Sequence, residues 1–391
     1  MRLHTLLLCF VSLTWPSTEL AGQSNSPPPF PEIRVYISKS QYNTLLESKG
    51  RKLELKKPIF LINKDTAHVK EVHSRGNNSL TFEHKSLSVD LADAVEVGMQ
   101  GKKKKVKKFD MLNLVMDKNL WHNRWAFLNM KDASIFPLLN TFCTVWINDQ
   151  PQGIYMLVEK PRHYTTGDAK SPYMVRRGVN HVVNDEYIDT PSKEDAKKFK
   201  QQYHAIYEDI SKYKGDDLFN RLSSKIHLNH YFEWLAFNYL IMNGDYADEL
   251  YLYILPEDGR FDIIPWDYDD ILRPVPHEGM EARNAVEGFK NKLIFSSEDP
   301  LDVAIASDAV LYGHYISTFQ TLLNILTPEN LTQVSQKVKG ELQILSTDPA
   351  APASLFLGKE AFSMPDAADD IDKSLDFIVK RRNALLQSLK K

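Results

Sequence analysis

From Ile33 to about Asp90, apolar and polar positions alternate in IRVYISKSQY, PIFLIN and HVKEVHSRGNNSLTFEHKSLSVDL, the period of half-buried strands. In the last of these, Leu87, Val89 and Leu91 share one face, which predicts two strands around a Gly-Asn turn. In DKNLWHNRWAFLN the period lengthens: Leu120, Trp121, Trp125 and Leu128 recur at helical spacing, predicting one helix packed on the first sheet. FCTVWINDQPQGIYMLVEK returns to strands, two apolar runs whose separation predicts a hairpin with Gly153 at the end of the turn. After Glu159 and Lys160 the pattern is mainly helical. Ser192 with Asp195 makes a capping box, continued by Phe199, Tyr203, Ile206 and Ile210. A second apolar helix is predicted from about Ile226 to Met242, then a strand, a Pro-Glu-Asp-Gly turn and a strand in ELYLYILPEDGRFDIIPWD. Two late helices follow, one capped by Thr327 with Pro328 in its first turn, the other from about Ile371 to Leu389. The expected fold class is α+β: a β-rich part, a connector near 159–165, and a helical part carrying one small hairpin.

Composition narrows the function classes. With 391 residues, 43% apolar, the chain can bury a large core, more readily as two lobes than one. A net charge of -3 argues against nucleic acid as the main partner. The start of the chain has a basic residue, an apolar run from Leu6 to Trp15, and small residues at Ala21 and Gly22, the layout of a secretory signal peptide over 1–22. No later segment approaches the roughly 20 apolar residues of a membrane span, so no stable membrane anchor is expected. Cys9 lies in that leader, which leaves Cys143 without a disulfide partner and favours a bacterial secreted or periplasmic setting. The basic tract at 102–108 reads as a solvated hairpin tip, or as a docking patch for an acidic or phosphate-bearing partner.

The chemistry concentrates in acidic loops. DIIPWDYDDIL places Asp267, Asp269 and Asp270 where a buried strand ends, and carboxylates there need a cation or donors to offset their desolvation. NGDYADE adds Asp245, Asp248 and Glu249 after a long helix, and a turn at Gly76 precedes Lys85. A turn over phosphates, a lysine on them and carboxylates for divalent metal are the parts of a phosphoryl-transfer site.

HSRGNNSLTFEHKSLSVDL, TVWINDQPQGIYMLVEK, NGDYADELYLYIL and IIPWDYDDIL, in that order, resemble the CotH family of spore coat proteins, atypical secreted protein kinases. The resemblance spans roughly residues 30–320 and implies a bilobal, protein-kinase-like fold, with a β-rich lobe over 23–160 and a helical lobe over 161–391. It implies that Arg75, Gly76, Asn77, Asn78 and Ser79 form the phosphate-covering turn and that Lys85 is the phosphate-binding lysine. Glu159 falls in the segment between the lobes that meets adenine. Asp245 matches the aspartate that orients or deprotonates the accepting hydroxyl, and Asp267 the metal-binding aspartate, with Asp269 as a second ligand. Where the family has an asparagine, Asp248 or Glu249 stands as a further metal ligand. The turn has a single glycine, and the helix at 119–130 offers Arg124 but no glutamate to fix the lysine.

The implied cofactors are ATP and Mg2+ or Mn2+, and the implied reaction is transfer of the γ-phosphoryl group to Ser or Thr of an exported protein. The alternatives are a non-catalytic extracellular binding or adhesion protein on the same fold, and an AMP transferase. No zinc, Ser-His-Asp or dinucleotide motif competes, and the oligomeric state is not legible.

Overall fold

The computed structural model describes residues 30–99 and 102–390. The leader assigned to 1–22 lies outside the described residues, and the basic tract 102–108, read as a solvated hairpin tip, lies instead within a strand, Lys102–Leu112.

Strands β1 (Glu32–Tyr36), β2 (Ile59–Ile62), β3 (Asp65–Ala67), β4 (Val69–Arg75), β5 (Ser86–Met99), β6 (Lys102–Leu112), β7 (Asn140–Ile147) and β8 (Gln150–Glu159) form one sheet, ordered β3-β2-β1-β7-β8-β6-β5-β4. Every pairing in it is antiparallel except β1 with β7. Helix α1 (Lys39–Glu47) follows β1, its first turn capped by the Ser38 hydroxyl, which accepts from the Gln41 amide. Strand alternation sorts the side chains: Cys143, Val145, Tyr155 and Leu157 enter one core with Val89 and Phe109, while Phe142, Ile154, Met156 and Val158 enter a second.

The second core is the larger. It runs through α2 (His122–Asp132) into the remaining helices, so the sheet and the helical part share a continuous interior. After β8 come α3 (Pro161–Gly167), β9 (Tyr173–Arg177), β10 (Val183–Ile188), α4 (Lys193–Lys212), α5 (Gly215–Ser223) and α6 (Leu228–Ile241). Strands β11 (Leu250–Ile254) and β12 (Phe261–Pro265) precede α7 (Met280–Ala285), α8 (Pro300–Ser307), α9 (Ala309–Ile325), α10 (Pro328–Leu345) and α11 (Met364–Leu389). Buried Arg124 on α2 reaches Glu341 on α10 through two bonds of 2.8 Å, which fixes one against the other.

Further expectations change. The β7–β8 turn is the pair Asn148–Asp149, both at positive φ (49° and 59°), as a two-residue hairpin requires. Gly153 instead sits where the pairing register shifts, at φ 110°, and a Cβ there would meet Ser354 backbone atoms at 2.8 Å. The inserted hairpin belongs to a four-stranded sheet, β10-β9-β11-β12, because the YMVRR and VNDEYI segments are also strands. The last helix begins at Met364, earlier than its apolar period suggests, where the Ser363 hydroxyl caps it. The Thr327 cap forms as read; at Ser192 the hydroxyl accepts from the Asp195 amide (3.1 Å), but the reciprocal half of the capping box does not form, because the Ser192 amide donates to the Thr190 hydroxyl (3.3 Å).

Candidate active site

Two loops after secondary-structure elements carry the acids, and the backbone stitches them together. Residues 243–249 follow α6, whose end Met242 adopts a left-handed conformation (φ 53°). Residues 266–273 follow β12. Leu272 donates to the Ile241 carbonyl (2.9 Å), Arg273 to that of Met242 (3.0 Å), and Gly244 to that of Asp270 (2.9 Å). A Cβ on Gly244 would lie 2.6 Å from an Asp270 carboxylate oxygen and 2.9 Å from Arg273 Cγ, so a larger residue would displace both side chains. The Asn243 side-chain carbonyl accepts from the Asp245 amide (3.2 Å), and its amide is held by Asn238 on α6 (3.0 Å), which sets the direction of Asp245.

The second loop is fastened from the other side by the start of α2. Asp117 accepts from the backbone amides of His122 and Asn123, 2.8 Å each. Asn123 in turn accepts from the Tyr268 amide (2.8 Å), and His122 Nδ1 lies 3.0 Å from the Asp269 carbonyl oxygen. Burial pushes the His122 imidazole down to about 4, so it is neutral and Nδ1 carries the proton donated to that carbonyl. Asp267 itself has φ 48°, a strained left-handed position for an aspartate between aromatic neighbours.

The carboxylates press on one another. Burial first and Asp267 second push Asp269 and Glu249 well above the usual carboxylate range. Burial also raises Asp267, opposed by the guanidinium groups of Arg75 and Arg176. Asp117 is pushed up to about 7, mainly by burial, with Asp267 adding to it. Asp245, about half exposed, is raised by desolvation and by Asp248, and His277 Nδ1 stands 3.9 Å from it. Opposite this cluster stand two cations. Arg75 pairs with Asp110 (3.2 Å) and lies over the Trp266 ring at 5.9 Å; Arg176 pairs with Glu249 at 2.7 Å.

Asp245, Asp267, Asp269, Glu249 and Arg75 are therefore brought into one electrostatic cluster. Gly76 adopts φ 103° beside Ser79, whose hydroxyl donates to the Arg75 carbonyl (3.3 Å), and Asn77 and Asn78 begin a short helical turn. Lys85 points elsewhere: it is buried, and its ammonium donates to the carbonyls of Leu80 (2.9 Å) and Phe82, inside the turn that precedes it. Glu159 is also enclosed. Its carboxylate takes Lys104 (2.8 Å), His163 (2.7 Å) and the Leu139 amide (3.1 Å), and its own amide donates to Leu139. Lys104, part of the basic tract, bridges to Asp168 as well, and Lys108 pairs with Asp90, so these lysines are tied into the fold.

Among the described residues, no three His, Cys, Asp or Glu side chains stand close enough together to hold a metal ion. The donor set is nonetheless hard oxygen, crowded and short of positive charge, which suits Mg2+ held by one or two carboxylates with phosphate and water completing its shell. Arg176 and Asp117 are the site members that sequence patterning passes over. Their only local signals are a pair of arginines ending an aliphatic strand and an aspartate before a helix.

A family model described as CotH kinase protein matches residues 72–385. No curated protein matches the chain. Among solved structures, the crystal structure of a Helicobacter pylori proinflammatory kinase, CtkA, is similar over 76% of this chain and 94% of its own, at 9% identity and a TM-score of 0.35, a likeness too distant to carry an argument.

Proposed function

Since the chain belongs to the CotH kinase family, we propose that it is a metal-dependent protein kinase transferring the γ-phosphoryl group of ATP to a Ser or Thr hydroxyl of an exported protein. The observation that carries this reading is the convergence of Asp245, Asp267, Asp269 and Glu249 on two hydrogen-bonded loops, with Arg75 and Arg176 facing them.

In this reading Asp267 and Asp269 hold Mg2+ or Mn2+, which supplies positive charge against the ATP phosphates. The turn 75–79 covers those phosphates with backbone amides, and Arg75 adds a guanidinium. Asp245 aligns the acceptor hydroxyl and takes its proton as the new oxygen–phosphorus bond forms and the bond to the ADP oxygen breaks. A carboxylate raised by its surroundings is a better proton acceptor than a free one, and Asp245 is so raised. Lys85 serves the phosphates only by leaving the Leu80 and Phe82 carbonyls. The same reading takes 23–160 and 161–391 as the two lobes of a kinase-like fold, and 1–22 as a leader that sends the protein out of the cytoplasm. No described helix is long and apolar enough to cross a membrane.

One observation favours a second reading, a surface-binding protein without turnover: Lys85 and Glu249 are both engaged by protein partners, not free for ligand. Calorimetric titration with ATP, with and without Mg2+, separates the two. Metal-dependent ATP binding lost in Asp267→Asn supports the kinase; no binding supports the scaffold.

A further inference from the structure

Beside the two stitched loops lies a concavity of about 300 Å3, edged by Met242 just before the first and Pro274 just beyond the second. Its charged lining is all positive, from Arg283, Lys292 and Arg381, and no Asp or Glu lines it. None of the three cations has a carboxylate partner among the described residues. Buried Arg283 donates to the carbonyls of Lys292, Ile294 and Phe295 and to the Asn284 side chain. Burial lowers its pKa below the usual guanidinium range. Arg381 donates through Nε and Nη2 to the carbonyls of Leu240 and Tyr239, 3.0 Å each. Lys292 Nζ stands 3.8 Å from the centre of the Tyr312 ring.

Three positive charges gathered on one cavity repel one another, and the carbonyls around Arg283 and Arg381 hold them there without neutralising them. Lys292 Nζ and the Nη1 edge of Arg381 keep donors for an incoming group, and Asn291 adds an amide to the lining. We propose that this cavity is a binding subsite for a phosphate group, held by Lys292 and Arg381 in the field of Arg283. Guanidinium and ammonium groups together are the usual means of binding such an anion. The volume is at the lower end for ligand pockets, enough for a phosphate and the side chain that carries it.

The cavity abuts the residues that flank both loops, Met242 before the first and Pro274 after the second, and Arg273 donates to the carbonyl of Met242 at their junction. An occupant therefore braces the segment that leads into Asp245. The phosphate comes either from a phosphorylated segment of a protein or from free phosphate. The proposal concerns binding alone, so it stands or falls separately from the phosphotransfer reading.

The test titrates the full chain, free of metal and nucleotide, with inorganic phosphate, with a phosphoserine peptide and with the same peptide unphosphorylated, at matched ionic strength. Saturable binding of a phosphate-bearing probe is expected, weakened at least tenfold by Lys292→Ala and by Arg381→Gln and unchanged by Lys212→Ala, an exposed lysine on α4. Tighter binding of the phosphopeptide than of inorganic phosphate assigns the source to a protein segment; equal or weaker peptide binding assigns it to free phosphate. Absence of saturation by either, or equal affinity in the folded Lys292→Ala variant, overturns the proposal.

Discussion

Arg176 Nη2 lies 2.7 Å from Glu249 Oε2, an ion pair that joins the end of β9 to the loop bearing Asp245. The same guanidinium draws Asp267 down against the burial that raises it. Its Nε is buried and has no hydrogen-bond partner. One arginine thus offsets two of the acids, and it keeps a donor free beside them.

Removing that arginine should leave both acids without their nearest offset. Arg176→Met is expected to cost about 2 kcal/mol of stability, less than breaking a fully buried pair because both groups keep some solvent contact. Arg176→Lys should recover part of it. Denaturant titration of the three proteins at neutral pH reads the difference.

Asp267→Asn should have the opposite sign. Without metal, the charge on Asp267 adds to burial in raising Asp269 and Glu249, so the amide relieves two neighbours. The metal-free variant is expected to melt higher than the parent by a few degrees, roughly 1 kcal/mol, while losing the stabilisation that Mg2+ with ATP gives the parent. Thermal melts with and without both ligands check the crossover.

The raised carboxylates also fix a pH dependence. In the unfolded chain aspartates titrate near 3.9, whereas Asp117 is held up to about 7 and Asp269 and Glu249 are raised with it. Between those values these acids bind more protons in the folded state than in the unfolded one and outweigh buried His122, whose lowered pKa acts the other way, so metal-free stability should fall as pH rises from about 4 through 7. A metal cation needs the acids ionised, so its affinity should rise over the same interval and binding should release protons. Calorimetry in two buffers of different ionisation enthalpy measures that release.

These acids are legible in the sequence because NGDYADE and WDYDD each end an apolar run, where a carboxylate has few reasons to be. The strand pairs and helix caps are legible for a similar reason, since local period and cap chemistry agree. What is not legible depends on distant partners. Strand β9 carries Arg177, buried by contacts to the Ala247 carbonyl and Tyr231, and nothing in YMVRR announces them. The direction of Lys85 is likewise a tertiary outcome: the same residue serves a ligand or the carbonyls of Leu80 and Phe82 according to how the turn at 78–81 folds. Glu159 looks like a strand end, and only the fold brings Lys104 and His163 onto it.

Gly76 offers a separate check on the phosphate turn. At φ 103° an L side chain is strained, and a Cβ there would fall 1.8 Å from the Ser79 hydroxyl oxygen. Gly76→Ala is expected to cost about 1–2 kcal/mol and to weaken ATP binding at least tenfold. Preserved affinity, measured by calorimetry on the folded variant, would remove this turn from the nucleotide site.

The most direct measurement is label transfer from ATP carrying γ- or α-labelled phosphate, with Mg2+ or Mn2+ and a generic Ser/Thr acceptor, comparing the parent with Asp245→Asn and Asp267→Asn. The account predicts γ-label on Ser or Thr with the parent and none above background with either variant. Transfer of the α-label, or γ-transfer that survives in both variants, would contradict it.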